Sequence, residues 1–327
     1  MTLDRAAALF RYRVPLVPGA ALRHGEPGWR EGLLLQLRED EREGWGEVAP
    51  LPGFSRESLA QAQVAACAWL AAWQARAPAE PELNGQPALA FGRSCALAEL
   101  ADTLPAPGDY RAVPLHAADT PLAALIAALQ DSPIAKLKLG YGDPAHEAAT
   151  VSALFSALPN LELRLDANRT WTLAQALQFA HGLSPAQRQR IAFFEEPCQH
   201  PAHSLRFAQD SGIALAWDET LREPGFVLSA PAGLRALVIK PSLQGSVGHC
   251  RQLIGQAQAL GLEAVISASI ESSLGLGQLA RLAAWLTPHT RPGLDTLRML
   301  QAQVLRPWPG SALPLLAPHE LDCLWTR

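Results

Sequence analysis

The chain has 327 residues, 49% hydrophobic and 18% charged, with a formal net charge of −4; that balance supplies a buried core and excludes general disorder. The mild acidity excludes an unaided nucleic-acid or anionic-membrane binder. The longest apolar run, Val64 to Trp73, falls well short of the ~20 residues of a membrane span, and the first residues have no signal-peptide pattern, so no membrane association and a cytoplasmic location are expected.

In chain order, Arg11 to Leu16, Glu31 to Arg38 and Gly44 to Val48 have the composition of short strands, the first two joined by a polar loop, Pro18 to Gly28. A helix capped by Ser55 is predicted to run to about Arg76, because apolar residues recur there at helical spacing. The connector Ala77 to Pro87 leads to a second helix ending near Leu104. From about Tyr110 the rhythm changes. Eight strand candidates follow: Ala112–His116, Ile134–Gly140, Leu161–Asn168, Ile191–Glu196, Ala214–Glu219, Ala236–Pro241, Glu263–Ser269 and Gly293–Thr296. The Ala- and Leu-rich stretches between them are long enough for crossover helices, which predicts parallel βαβ units closing into a barrel. The eighth candidate has no convincing helix behind it. The expected fold is therefore α/β, a (β/α)7β TIM-like barrel over residues 105–298, with residues 1–104 and an extended tail, 299–327, forming a second, α+β domain.

Five cysteines, at 67, 95, 198, 250 and 323, are odd in number and widely spaced, with no C-x-x-C, so reduced thiols are expected rather than disulfides or a zinc site. The lysines carry more information. There are three, Lys136, Lys138 and Lys240, against 24 arginines. A lysine can lose its proton and act as a base, whereas arginine stays charged. All three lie at predicted strand ends, where barrel enzymes place their reactive groups.

Lys136 and Lys138, two apart on one strand, share a face. Asp166, Glu195 and Asp218 end the next three strands, and Lys240 ends the sixth. Three carboxylates converging on one spot repel unless a cation neutralises them. Oxygen donors alone favour a hard ion, Mg²⁺ or Mn²⁺. An ion on a substrate carboxylate stabilises the charge left when the neighbouring carbon loses its proton, and a lysine is suited to take that proton. Glu196 and Glu219 have the opposite strand parity and are expected as ion-pair or orienting partners, with Asn168 in a similar supporting role. Arg164 shares parity with Asp166 and reads either as a substrate contact or as a charge partner for a carboxylate. Ser267 and Ser269, with Ser272 and Ser273 behind them, offer hydroxyls and helix-start N–H groups to a substrate carboxylate, though serine there is also an ordinary cap.

The stretches LKLG, LRLDANRTWT, FFEEPC, AWDET, VIKPSLQGS and SASIESSLG, together with GWGEVAPLPGFS and PGLDT, resemble the enolase superfamily in its muconate-cycloisomerase-like branch, almost from end to end. The resemblance implies that the α+β domain caps the barrel, with loops 18–28 and 51–55 closing over its mouth. It implies Asp166, Glu195 and Asp218 as the ligands of Mg²⁺ (or Mn²⁺), Lys138 as general base, Lys136 as the companion that tunes it, and Lys240 as the lysine on the opposite face. It further implies a monomer acting on a small-molecule carboxylate, as a lyase that removes water from a cyclohexadiene carboxylate. A racemase of N-acylamino acids or an epimerase of dipeptides is the alternative on the same scaffold.

Overall fold

The computed structural model describes residues 5–18, 28–77 and 85–327; most of the predicted loop 18–28 and of the connector 77–87 therefore lies outside the described residues. The chain divides into two compact units, one of Met1–Arg111, Ile239–Ile254 and Ile266–Arg327, the other of Ala112–Val238 and Gly255–Val265.

The first unit opens with β1 (Arg5–Pro15), β2 (Trp29–Glu39) and β3 (Arg42–Val48), an antiparallel meander followed by α1 (Leu59–Gln74) and α2 (Pro87–Leu100). Leu33, Leu35 and Leu37 alternate along β2 and bury one face against Ala62, Ala66 and Leu70 of α1 and Leu89 and Ala96 of α2. The α2 backbone lies directly on β3, and glycine is required there. A Cβ on Gly46 would overlap the Gly92 carbonyl, and one on Gly44 the Ala96 carbonyl. Ser58, not Ser55, caps α1: its hydroxyl accepts from Gln61 N while the Gln61 side chain accepts from Ser58 N. Ser55 instead accepts from Leu51 N within the preceding turn.

The second unit contains β4 (Leu115–Ala117), α3 (Leu122–Leu129), β5 (Ile134–Lys138), α4 (Pro144–Ala157), β6 (Glu162–Asp166), α5 (Leu173–His181), α6 (Pro185–Arg188), β7 (Ile191–Glu195), α7 (Pro201–Ser211), β8 (Leu215–Trp217) and β9 (Leu234–Ile239). After α8 (Pro241–Gln244) and α9 (Val247–Ala259) comes β10 (Glu263–Ile266). These seven strands form one sheet in unbroken chain order, β4 through β10, and the ladders from β4 to β9 are parallel. A doubly wound open sheet reverses its strand order at a switch point; a singly wound barrel does not. The arrangement is the TIM-like one.

Two expectations fail. The connection from β8 to β9 holds only a 3-10 turn, Glu219–Arg222, because Pro224, Gly225, Pro231 and Gly233 interrupt any longer helix. The eighth strand, Gly293–Thr296, is reduced to one parallel bridge, Gly293 to Ser267, before the 3-10 turn Leu297–Met299. The rest of the first unit holds α10 (Ser273–Leu286), the paired β11 (Gln303–Val304) and β12 (Leu315–Leu316), and β13 (Asp322–Thr326), which pairs antiparallel with β1. No helix among the described residues is long and apolar enough to cross a membrane.

Candidate active site

The parallel register of β5, β6 and β7 aligns Lys138 with Asp166, and Asp166 with Glu195. The sequence places charged residues at the last position of each strand, so adjacent ends bring them into contact. Lys136 Nζ lies 2.9 Å from Asp166 Oδ2 and pairs with Glu195 Oε2. Lys138 Nζ pairs with the same Asp166 oxygen and donates to Asn168 Oδ1 at 2.9 Å. Asp166, Glu195 and Asp218 are at most 1% exposed. Buried carboxylates of this kind are tolerable only when a cation or donor faces them.

Among the described residues no group of three His, Cys, Asp or Glu side chains is gathered closely enough to hold an ion as it stands. Lys136 pairs with Asp166 and Glu195, and Lys138 with Asp166. The donor chemistry itself fits a divalent cation, because buried carboxylates end β6 and β7 and a third, Asp218, directly follows β8.

The chain turns sharply past these ends. Asn168, Arg169 and Glu196 have φ of 44°, 58° and 35°, unusual for residues with a Cβ. Gly140, just past β5, has φ 81°, and a Cβ there would run into the Thr170 hydroxyl. Glu196 is fully buried and pairs with Arg169, as its strand parity suggested; burial, then repulsion from Glu219, pushes its carboxyl up to about 7. Glu219 accepts from Asn168 Nδ2 at 3.3 Å. Asp218 lies just past β8, its N–H donating to Glu196 Oε1 at 2.8 Å and its carboxylate 3.8 Å from Arg222. Arg164, 4% exposed, stacks over Phe193 and lies 3.7 Å from Glu263 on β10, the charge-partner arrangement.

The remaining predicted residues belong to the first unit. Lys240 follows β9 directly, and Ser267 follows β10 with its hydroxyl donating to Gly293 O at 3.2 Å. Ser269 Oγ is buried without a hydrogen-bond partner among the described residues. Two helix-start N–H groups expected to be open to a substrate are in fact taken. Glu47, 1% exposed, accepts from Ser272 N and Gly275 N, both at 2.8 Å, and from the hydroxyls of Ser272 and Tyr12, both at 2.6 Å. Glu271 likewise accepts from Ser242 Oγ and Ser269 N, and its carboxyl is raised chiefly by burial. Arg30 donates to the carbonyls of Ala49, Pro50 and Ile270, holding Ile270 at φ 61°. Glu47, Arg30 and Arg169 carry no spacing signal in the sequence; each is placed by contacts over long sequence separation.

Residues 4–100 match the family pattern described as MenC, N-terminal domain, and residues 122–307 match Enolase C-terminal domain-like. The o-succinylbenzoate synthase of Yersinia pseudotuberculosis serotype IB (strain PB1/+) is 53% identical over 324 residues, 99% of this chain and 100% of that protein. Among solved structures, the o-succinylbenzoate synthase of Thermosynechococcus elongatus BP-1, complexed with Mg in its active site, superposes with a TM-score of 0.69 at 24% identity, over 95% of this chain and 96% of that one. The L-Ala-D/L-Glu epimerase of Bacillus subtilis gives a TM-score of 0.73 at 20% identity, over 93% and 92%. At such identities the two structures speak to the fold alone.

Proposed function

The chain belongs to the o-succinylbenzoate synthase family of the enolase superfamily, and on that footing we propose that it removes water from 2-succinyl-6-hydroxy-2,4-cyclohexadiene-1-carboxylate to give 2-succinylbenzoate, in menaquinone biosynthesis. The observation that carries the reading is the 53% identity along the whole chain, with Lys136, Lys138 and two buried carboxylates gathered at adjacent strand ends. The epimerase alternative has only a fold-level likeness behind it.

In this reading Lys138 takes the proton from the carbon bearing the carboxylate. It then gives that proton to the departing hydroxyl group, so water leaves and the ring becomes aromatic. Its contact with Asn168 aims the amine, and Lys136 is taken as its companion on the same strand. Lys240 supplies a further positive charge to the developing anion. Asp166, Glu195 and Asp218 would hold Mg²⁺, or Mn²⁺ in its stead, which when bound supplies Lewis-acid stabilisation of the charge growing on the substrate carboxylate. Ser269, whose buried hydroxyl has no hydrogen-bond partner among the described residues, and Ser267 are the proposed substrate contacts; Arg164 would join them only by leaving Glu263. The same proposal takes residues 1–104 with 299–327 as a cap on a barrel of 105–298, in a monomeric, cytoplasmic enzyme without nucleic-acid or membrane partners.

The test is a spectrophotometric assay of the purified protein with the hydroxycyclohexadiene substrate, run with Mg²⁺, with chelator, and beside Lys138→Ala. Metal-dependent loss of the diene signal, absent in the variant, is the expected result. Full activity in chelator removes the carboxylate trio from the mechanism, and a metal-loaded but inactive protein refutes the lyase reading.

A further inference from the structure

We propose that Arg169 and Glu196 are positioning residues that set the spacing of Asp166, Glu195 and Asp218, by clasping the end of β6, the end of β7 and the turn after β8 into one unit. The inference rests on the reading of those carboxylates as metal ligands.

The sheet alone does not fix this spacing. The ladder aligns Asp166 with Glu195, but between β7 and β8 it reaches only Phe194 to Leu215 and Glu195 to Ala216. Asp218 lies two residues beyond the last pair, outside any strand. What holds its backbone is the Glu196 carboxylate. Oε1 accepts from Asp218 N at 2.8 Å and from Thr220 N at 2.7 Å, and Oε2 accepts from Thr220 Oγ1 at 3.0 Å.

Arg169 closes the arrangement from the β6 side. Its Nε pairs with Glu196 Oε2, its Nη2 donates to Thr220 Oγ1 at 2.5 Å, and its Nη1 donates to Glu223 Oε1 at 2.6 Å. Its backbone N–H donates to Glu196 O at 2.8 Å. The guanidinium fork thus engages three acceptors, two of them in the segment after β8. Lysine has one nitrogen and cannot span them. The positive φ of Asn168, Arg169 and Glu196 fits the same account, since strained backbone persists only where surrounding contacts over-determine it. Each clasp residue stands one to three positions from a proposed ligand in the chain, yet the clasp joins segments more than 50 residues apart.

Groups that orient ligands in this way typically contribute 10–100-fold to metal affinity. The experiment is Mg²⁺ titration by calorimetry on the full chain, at a temperature well below unfolding, for wild type, Arg169→Met, Arg169→Lys, Glu196→Gln and Thr220→Val, with urea unfolding measured on each. The expected result is Mg²⁺ affinity about 10–100-fold weaker in Arg169→Met and Glu196→Gln, a smaller loss in Arg169→Lys, and activity that partly recovers at high Mg²⁺. Thr220→Val keeps the side-chain shape and removes only the shared hydroxyl, so it reads the clasp even where the charge variants fold poorly. Folded variants that bind Mg²⁺ as tightly as wild type, with only the urea midpoint lowered, overturn the proposal and leave a purely structural ion pair. A wild type that takes up no divalent ion overturns the clasp together with the metal reading, whereas a binding wild type with unaffected variants overturns the clasp alone.

Discussion

Glu47 is the buried group whose removal has the most calculable consequence. Its carboxylate serves four donors: Tyr12 OH, Ser272 Oγ and the N–H groups of Ser272 and Gly275. In Glu47→Ala the Ser272 hydroxyl can turn elsewhere, but the two N–H groups and the fully buried Tyr12 hydroxyl cannot. At ~1–2 kcal/mol for each stranded donor, the loss is about 3–6 kcal/mol, a large part of the ~5–15 kcal/mol by which a domain is stable. Glu47→Gln should cost about 1–3 kcal/mol, because its amide oxygen still accepts while its NH2 faces the Gly275 N–H. Urea unfolding followed by tryptophan fluorescence gives the midpoints, compared at equal slope so that a change in the unfolded state is not mistaken for lost stability. The expected order is wild type, then Gln, then Ala. An Ala variant within about 0.5 kcal/mol of wild type, the scatter of ordinary surface substitutions, refutes the assignment of Glu47 as the group that satisfies the start of α10.

The other predictions concern the base and the thiols. Lys138→Arg should lower kcat/KM by about 10²–10⁴, nearly as much as Lys138→Ala, because arginine stays protonated; rescue by arginine, measured in the diene assay with circular dichroism as the folding control, means that charge and not basicity matters there. Burial pushes the Cys198 thiol up to about 11 and the Cys250 thiol up to about 12. At pH 8 roughly one in 10³ and one in 10⁴ of these thiols is ionised, and the thiolate is the reactive form. Iodoacetamide on the native protein should therefore modify the exposed Cys323 first, with Cys198 and Cys250 reacting only after denaturation; mass spectrometry after a timed exposure reads the order, and early loss of Cys250 contradicts its burial.

The alternation of strand and helix, and the residues that end each strand, are readable from residue order alone. Both are local: a period-2 or period-3.6 apolar pattern is written in consecutive residues, and a parallel sheet in chain order converts regular spacing into neighbouring strand ends. For this reason Lys138, Asp166 and Glu195 were legible together, and Glu196 could be assigned an ion-pair or orienting role from parity alone. Tertiary structure decided the rest. The β8–β9 connection has the length of a crossover helix but not the residues for one. The eighth strand has a strand's composition but pairs through a single bridge. Ser58 displaced Ser55 as a cap because Gln61 completes its hydrogen bonds. The helix-start N–H groups near Ser272 looked open until Glu47, 225 residues earlier in the chain, was folded against them. Arg169 gives no signal in spacing, since its guanidinium acquires meaning only from carboxylates that the fold brings to it. A hydrogen bond between distant segments depends on ångström-scale placement, and residue order sets that placement only through packing.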